Sequence, residues 1–390
     1  MKKLLVVLLS IMCLFSLTAC GGSNDDGEVV AADTVTIKIG CSGPLTGGAA
    51  VYGIAVKNAI ELAVEEINAS DSKIKFEFKM EDDMADGEKA VTAYNTLYDW
   101  GMQASLFTVT SGSGAAVASM YDEDKIFAIT PSGSATDLVY TSSKNFAGNF
   151  QMCFTDPNQG VASADYMAEN FADKKIAVIY KNDDVYSNGI YEKFTAEADV
   201  KGLDVVYVGA FDDSSATDFN TQLTAANAAG ADLVYLPIYY QPASLILTQA
   251  NAMGYAPTFF GVDGMDGILA LEGFDTSLAE GVYLLTPFAA DATDDLTVHF
   301  VTEFKAKYND TPNQFAADAY DCVYAIKQAL ENIGVENIDA DNLYDALVAQ
   351  FTSMSFDGLT GESMTWATNG EVSKAPKAVI ITDGVYVSAQ

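Results

Sequence analysis

Four loops that follow predicted strands carry the residues best suited to bind a small charged ligand. They lie at residues 40–53, 110–114, 130–134 and 261–264; the first three are rich in Ser, Thr and Gly, and the last contains Asp263. A hydroxyl followed by glycines at a helix start presents backbone N–H groups to an anion, although a serine there also caps its own helix. A carboxylate in the fourth loop attracts a cation, although Asp in such loops also forms turns.

The same loops give little support for catalysis. Residues 40–53 lack the GxGxxG spacing of dinucleotide-binding loops, and none of the four loops contains the GxSxG motif of serine hydrolases. The chain has one histidine, His299, which we expect on a solvated helix. Catalysis by histidine and metal sites rich in histidine are therefore disfavoured. The sequence therefore favours a protein that is not an enzyme and needs no metal or cofactor.

Charge and cysteine content narrow the classes of partner. The 20 basic residues against 54 acidic ones give a formal charge of −34, which excludes a basic surface for nucleic acid or anionic lipid headgroups. Outside the first 20 residues the cysteines are Cys41, Cys153 and Cys322, widely spaced and without a CxxC pattern. We expect them to be small buried side chains, and the pairing of any two of them stays open.

The N-terminus has the features of an export signal. Two lysines precede the apolar run at residues 4–17, whose 14 residues are fewer than the roughly 20 that span a bilayer. The sequence LTACG at 17–21 resembles the bacterial lipobox, in which the cysteine is lipidated and becomes the first residue of the mature chain. We predict a signal peptide over residues 1–19, a lipid on Cys20, and a polar, flexible tether up to residue 33.

Beyond residue 33, strand-like and helix-like patterns alternate in two successive series. In the first helix-like segment, Val56, Ile60, Ala63, Val64 and Ile67 share one face. Such alternation is typical of βαβ units with parallel sheets, and 390 residues exceed the usual size of a single core. The sequence predicts an α/β protein with two doubly wound parallel-sheet lobes.

In order along the chain, several of these segments resemble one known family. They are GPLTG…YG, EDDMAD…KAV, MYDEDKIFAITPS and the YY…GxDG pairing, and the similarity extends over almost the whole predicted body. The chain resembles the substrate-binding proteins of ABC importers, of the leucine/isoleucine/valine-binding type. This resemblance implies the type I periplasmic binding protein fold, with the two lobes joined by a hinge. It implies lobe 1 over 34–153 plus 287–357, and lobe 2 over 154–286 plus 358–390.

The resemblance also implies a set of ligand contacts. The α-carboxylate of an amino acid would meet the hydroxyl and backbone of Ser111 and the loop after the next strand, and Asp263 would hold the α-ammonium. This agrees with elementary electrostatics, because a zwitterion needs donors at a helix start and a carboxylate nearby. The implied ligand-binding residues are Ser111, Ser132, Gly133, Ser134, Asp263, Tyr52, Tyr186 and Tyr239.

The expected function is that of an exported receptor, lipid-anchored to the outer face of the bacterial cytoplasmic membrane. It would bind a small amino acid, branched-chain or related, and deliver it as a monomer to an ABC permease. Three alternatives stay open: an uncharged amide or urea-like ligand in the same fold, a ligand-sensing receptor, and an exported hydrolase. The first would be favoured by loss of the ammonium contact at Asp263, and the last by substrate turnover.

Overall fold

The computed structural model describes residues 34–339, 341–374 and 376–389. The predicted signal peptide, the lipidation site Cys20 and the tether lie outside the described residues. No helix within the described ranges is long and apolar enough to cross a membrane.

The first sheet is parallel throughout and has the strand order β2-β1-β3-β4-β5. This order places the reversal of winding between β1 and β3. In doubly wound sheets, ligands bind at this point, beyond the carboxyl ends of the strands. The strands are β1 (Val35–Gly43), β2 (Ile74–Asp82), β3 (Ala104–Thr108), β4 (Phe127–Thr130) and β5 (Asn149–Gln151).

The second sheet has the order β12-β11-β10-β9-β8-β6-β7. Its five parallel strands repeat the order of the first sheet, while β11 and β12 add an antiparallel hairpin at the β10 edge, so this sheet is mixed. The strands are β6 (Lys175–Lys181), β7 (Asp204–Phe211), β8 (Leu233–Leu236), β9 (Thr258–Gly261), β10 (Tyr283–Thr286), β11 (Lys377–Thr382) and β12 (Val385–Ser388).

Helices connect the parallel strands and cover the sheets. The helices are α1 (Ala50–Ala69), α2 (Gly87–Asp99), α3 (Ser111–Glu123), α4 (Asp156–Asn170), α5 (Val185–Lys201), α6 (Asn220–Ala228), α7 (Tyr240–Met253), α8 (Asp295–Tyr308), α9 (Gln314–Ile333) and α10 (Leu343–Phe351). The apolar face predicted for the first helix is confirmed, since Val56, Ile60, Ala63, Val64 and Ile67 are all buried on α1. Burial of such a face, at about 25 cal/mol per Å² of apolar surface, holds the helix on the sheet.

The chain passes between the two sheets three times: after β5, after β10, and before β11. Along the third passage, Trp366 Nε1 donates to the Gln151 carbonyl at 2.9 Å, and Gln151 N–H donates to the Gly370 carbonyl at 3.0 Å. Residues 366–370 therefore lie against β5 of the first sheet. The lobe boundaries given above stay a prediction.

A buried ion pair ties this third passage to α9. Lys374 Nζ lies 2.5 Å from Asp318 Oδ1, and both side chains are 1% exposed. Lys374 Nζ also donates to Thr360 Oγ1, and Asp321 accepts from the N–H of Leu359 and of Thr360. Because each charge has a partner, the cost of taking both out of water is offset. This network joins the third passage to the long buried helix of the first sheet.

Candidate ligand-binding site

The loops after β3 and β4 form the first-sheet side of the site, and a local distortion of β3 shapes it. Phe107 has a positive φ of 53°, and its N–H donates to the Ser105 hydroxyl at 2.9 Å. The pairing of β1 with β3 shifts register in the same stretch. A left-handed backbone conformation at a bulky residue costs free energy, so contacts with the surrounding core must stabilise it. The distortion turns the chain from the sheet into the loop that begins α3.

Thr110 and Ser111 stand at the start of α3 and use their hydroxyls differently. Thr110 is the N-cap residue, yet its side chain makes no capping bond, and its buried Oγ1 has no partner among the described residues. Ser111 Oγ accepts the Ala135 N–H at 3.1 Å and so links the loops after β3 and β4. Ser111 Oγ thus accepts a bond within the fold while its O–H stays free to donate, and its neighbour Thr110 offers a second free hydroxyl.

The loop after β4 is held together by hydroxyl groups. Thr130 Oγ1 accepts the N–H of Ser132 and of Gly133, and Ser132 Oγ donates to the Val109 carbonyl at 2.5 Å. The Gly133 carbonyl accepts a hydrogen bond from Gln151 Nε2 of β5 at 2.8 Å, so this carbonyl already has a partner within the protein. Ser134 Oγ is buried and has no partner in the described part of the chain. This loop therefore holds a free hydroxyl, that of Ser134, beside the cavity rather than on its wall.

Tyr186 and Asp263 form the opposite side, at the ends of β6 and β9. Tyr186 Oη donates to Asp263 Oδ1 at 2.5 Å and accepts the Gly264 N–H at 2.9 Å. A side chain at Gly264 would collide with the rings of Tyr186 and Tyr239, which explains the glycine. Asp263 is 2% exposed, and burial raises its pKa to about 7, partly offset by hydrogen bonds from Tyr186. A cation beside this carboxyl would restore its charge.

A second buried acid, Asp156, was missed from the sequence and lies beside the loop after β4, since its N–H donates to the Ser134 carbonyl at 3.0 Å. Asp156, the first residue of α4, is 1% exposed, and neither of its carboxyl oxygens has a hydrogen-bond partner in the described ranges. Burial raises its pKa well above the ordinary value, and the Asp263 charge adds to the increase. On the same helix, Gln159 Oε1 accepts the Asp263 N–H at 3.1 Å. Buried carboxyl oxygens without partners are rare in folded proteins and point to a ligand.

Aromatic rings close the site from both sides. Tyr52 of α1 donates to the Gly264 carbonyl, while its ring meets Tyr239 edge-on at 5.4 Å and Phe315 at 4.8 Å. Tyr186 and Tyr239 stack at 4.8 Å. The cavity has a volume of about 10 Å³, no more than a single water molecule needs, so the two sides must part to admit an amino acid.

Most of the predicted ligand-binding residues come together here. Tyr52, Ser132, Tyr186, Tyr239 and Asp263 line the cavity. Thr110 and Gly264, which belong to two of the predicted loops, and Val109 and Phe315, which were not predicted, complete the lining. Ser111, Gly133 and Ser134 lie in the adjoining loops rather than on its wall. Phe315 carries no signal of a site in the sequence, because it lies in the first turn of a helix far along the chain.

The remaining candidates for chemistry lie away from this cavity or take no part in it. His299 is exposed on α8, as predicted, and pairs with Glu66 at 3.0 Å. Cys41, Cys153 and Cys322 are buried and free. Across the described ranges, no three His, Cys, Asp or Glu side chains are grouped so that they could hold a metal ion.

Taken together, the site sets uncharged hydroxyl donors on one sheet against carboxyl groups on the other. Thr110 and Ser134 contribute free hydroxyls beside the start of α3, where the helix dipole favours negative charge. Asp263 lines the same cavity as Thr110 and offers an acceptor suited to a cation, while Asp156 lies beside Ser134, to whose carbonyl its N–H donates at 3.0 Å. The arrangement suits a small ligand with an anionic end and a cationic end, and it contains no nucleophile activated by a base.

Known proteins resemble this chain over nearly all of the described body. The model of a family described as periplasmic binding protein matches residues 36–382. A leucine-, isoleucine-, valine-, threonine- and alanine-binding protein of Pseudomonas aeruginosa is 29% identical over 325 residues, which is 82% of this chain and 83% of that protein. These similarities confirm the resemblance to solute-binding proteins of ABC importers.

Solved structures have the same fold. The branched-chain amino acid transporter substrate-binding protein LivJ of Streptococcus pneumoniae, in complex with isoleucine, is 25% identical with a TM-score of 0.79, covering 91% of this chain and 99% of that one. A solute-binding protein of R. palustris in complex with benzoate, 20% identical with a TM-score of 0.80, covers 91% of this chain and 95% of its own and shows the fold alone. The predicted type I periplasmic binding fold is confirmed, and this chain belongs to the periplasmic binding protein family.

Proposed function

We propose that this chain is an exported receptor, anchored through a lipid on Cys20, that binds a small amino acid and delivers it to an ABC permease. In this proposal it has no catalytic activity and needs no cofactor. The proposal is supported by the sequence relatives and by the lipobox at residues 17–21. The single observation that carries the ligand class is that the buried Asp263 carboxyl and the free Thr110 hydroxyl line the same cavity.

The zwitterion would lie with its carboxylate toward the first sheet. The hydroxyls of Thr110 and Ser134 would donate to it, and free backbone N–H groups at the start of α3 would add the favourable end of the helix dipole. Ser111 Oγ accepts the Ala135 N–H, and its own O–H would stay free to donate to the same carboxylate. Charge-assisted bonds of this kind contribute about 1.5–3 kcal/mol each.

The ammonium would lie toward the second sheet, between Asp156 and Asp263. Burial holds the pKa of both carboxyls high, and an ammonium would stabilise their ionised forms. Tyr186 already donates to Asp263 Oδ1 and would fix the direction of that carboxylate. A ligand without the ammonium would gain nothing from these carboxyls and would leave burial to favour their protonated forms, which gives the site its selectivity.

Binding would be coupled to closure, because the two ends of the ligand are held by different sheets. Direct bonds between the two sides already favour the closed arrangement: Tyr52 donates to the Gly264 carbonyl, and Gln314 N–H donates to Asp266 Oδ2 at 3.0 Å. The ligand would add bonds that exist only in the closed state and so shift the population toward it. A permease could then distinguish the loaded receptor by its shape.

The test is a thermal-shift screen of the full chain against the twenty amino acids, small amides, urea and matched carboxylic acids. A ligand that binds only the native state raises the melting temperature. We expect the largest increase with branched-chain or related amino acids, and none with 4-methylpentanoate, which lacks the ammonium of leucine. An increase with amides or urea but with no amino acid would overturn the amino acid assignment in favour of an uncharged ligand.

A further inference from the structure

A second, larger cavity lies beside the proposed amino acid site and has a different lining. Its volume is about 510 Å³, within the usual range for small-molecule sites of roughly 300–1,000 Å³. Its walls come from α1, from the loop after β9, from α8 and from the β11–β12 hairpin, so both sheets contribute. Because none of its lining residues lines the first cavity, the two are separate spaces.

The apolar part of this lining is large enough to hold a hydrocarbon body. Phe288 and Phe304 contribute aromatic rings, while Val51, Leu269 and Tyr386 contribute further apolar surface. Phe288 and Phe304 belong to the buried core of the protein, so this wall is rigid. A rigid apolar wall of this kind binds by burial of hydrocarbon surface, at about 25 cal/mol per Å².

One buried carboxyl group gives the cavity a preference in charge. Asp266 is 4% exposed, and its Oδ2 accepts the Gln314 N–H at 3.0 Å, whereas its buried Oδ1 has no hydrogen-bond partner among the described residues. The Tyr386 hydroxyl accepts the Gly267 N–H at 3.3 Å and lies beside the Asp266 carboxyl, where it partly offsets the rise in the pKa of Asp266 that burial causes. An acid buried at the edge of an apolar cavity is costly unless a donor or a cation meets it.

The charged groups around the opening of the cavity also favour a cationic ligand. Asp291 and Asp310 are exposed and line the cavity, against one basic residue, Lys305, which is also exposed. With Asp266 this makes three acidic residues and one basic residue, so the field inside favours a cation. An organic anion of the same size would meet an unfavourable field.

We propose that this cavity is a second binding site, for an organic amine that has one ammonium group on an apolar body. The ammonium would pair with Asp266, and the apolar body would pack against Phe288, Phe304 and Leu269. Gln314 connects this site to the first, since its backbone N–H binds Asp266 while its side-chain Nε2 donates to the Asp263 carbonyl at 3.4 Å. The proposal does not depend on the ligand of the first site.

The test uses 3-phenylpropylamine as the probe and 3-phenylpropan-1-ol as its uncharged counterpart, titrated into the full chain by calorimetry at pH 7.5. We expect the amine to bind at least tenfold more tightly than the alcohol. Asp266→Asn should weaken amine binding at least tenfold, and Leu269→Trp, which fills the cavity without changing its charge, should do the same. Asp263→Asn, which alters the first site only, should leave the affinity for the amine unchanged.

Each contrary result is decisive. Equal affinity for amine and alcohol would overturn the role of Asp266, and unchanged affinity in Leu269→Trp would overturn the location. Loss of amine binding in Asp263→Asn would place the probe in the first cavity and refute a second site. Failure of every amino acid to bind would refute the proposed function alone, since the amine titration has its own variants.

Discussion

Replacing Asp263 by Asn tests the ammonium contact, which is the part of the proposed site that depends most on charge. Asp263 is 2% exposed, and the described residues supply one side-chain donor to it, the Tyr186 hydroxyl. The substitution keeps the size of the side chain and removes its charge. Leucine would then bring an ammonium into a buried site that has lost one of its two acids. Breaking a buried charge pair in this way costs roughly 3–5 kcal/mol.

At 1.36 kcal/mol for each factor of ten, this loss corresponds to a dissociation constant raised by about two to nearly four orders of magnitude. The assay is calorimetric titration of wild type and Asp263→Asn with the best ligand from the screen. Asp83→Asn is the matched control, because Asp83 is also fully buried and has a pKa raised to about 6 by burial, but does not line the cavity. We expect the control to bind like wild type.

Wild-type affinity in Asp263→Asn would refute the reasoning, because a charge in direct contact with an ammonium cannot be removed without cost. Equal losses in Asp263→Asn and Asp83→Asn would also refute it, since the effect would then come from a general disturbance of the fold. Circular dichroism and the melting temperature of each ligand-free variant separate misfolding from a loss of contact.

Three further predictions address the anchor, the pH dependence of stability and the buried ion pair. Cys20→Ala should release the protein from the membrane fraction with unchanged ligand affinity; wild-type retention would contradict lipidation. Because burial raises the pKa of Asp263 from 3.8 to about 7, its contribution to stability is fully present below pH 3.8 and is lost as the pH rises through 7, by at most about 4 kcal/mol. Denaturant unfolding should therefore show that ligand-free Asp263→Asn gains stability over wild type between pH 5 and pH 8, and an unchanged difference would disprove this. Lys374→Met should lower the free energy of unfolding by about 3–5 kcal/mol, and Lys374→Met with Asp318→Leu should recover most of it; no recovery would mean that the pair itself is not the cause.

The class of fold and the position of the site were predictable from local patterns. Val56, Ile60 and Ala63 recur at helical spacing. Because an apolar face of this kind favours a buried helix whichever element it packs against, α1 was correctly predicted. Asp263 follows a short apolar strand, and in doubly wound sheets such strand ends meet at one crevice. The lipobox at Cys20 is likewise a local sequence signal, and it stays a prediction.

Other features were decided only by tertiary structure. Asp156 begins a helix, where an acidic residue normally favours the helix dipole, so nothing in its neighbourhood distinguishes a ligand contact from an ordinary first turn. Tertiary contacts, including the bond from its N–H to the Ser134 carbonyl, bury Asp156 and leave both of its carboxyl oxygens without partners among the described residues. Similarly, Phe315 reaches the cavity because α9 packs on α1, a contact between segments more than 200 residues apart.

The hydroxyl groups of the site show most clearly which features the sequence determines and which only the tertiary structure decides. The sequence by itself determined that Thr110, Ser111, Ser132 and Ser134 stand at strand ends, because that follows from the order of apolar and polar residues. It did not determine which hydroxyls remain free, because hydrogen bonds depend on distances between loops that are far apart in the chain. Packing of the loops after β3 and β4 directs the Ser132 O–H to the Val109 carbonyl and makes Ser111 Oγ the acceptor of the Ala135 N–H. It leaves the Ser111 O–H free to donate, and the hydroxyls of Thr110 and Ser134 without a partner among the described residues. The residue types thus specified the chemistry of the site, and the tertiary contacts selected the atoms.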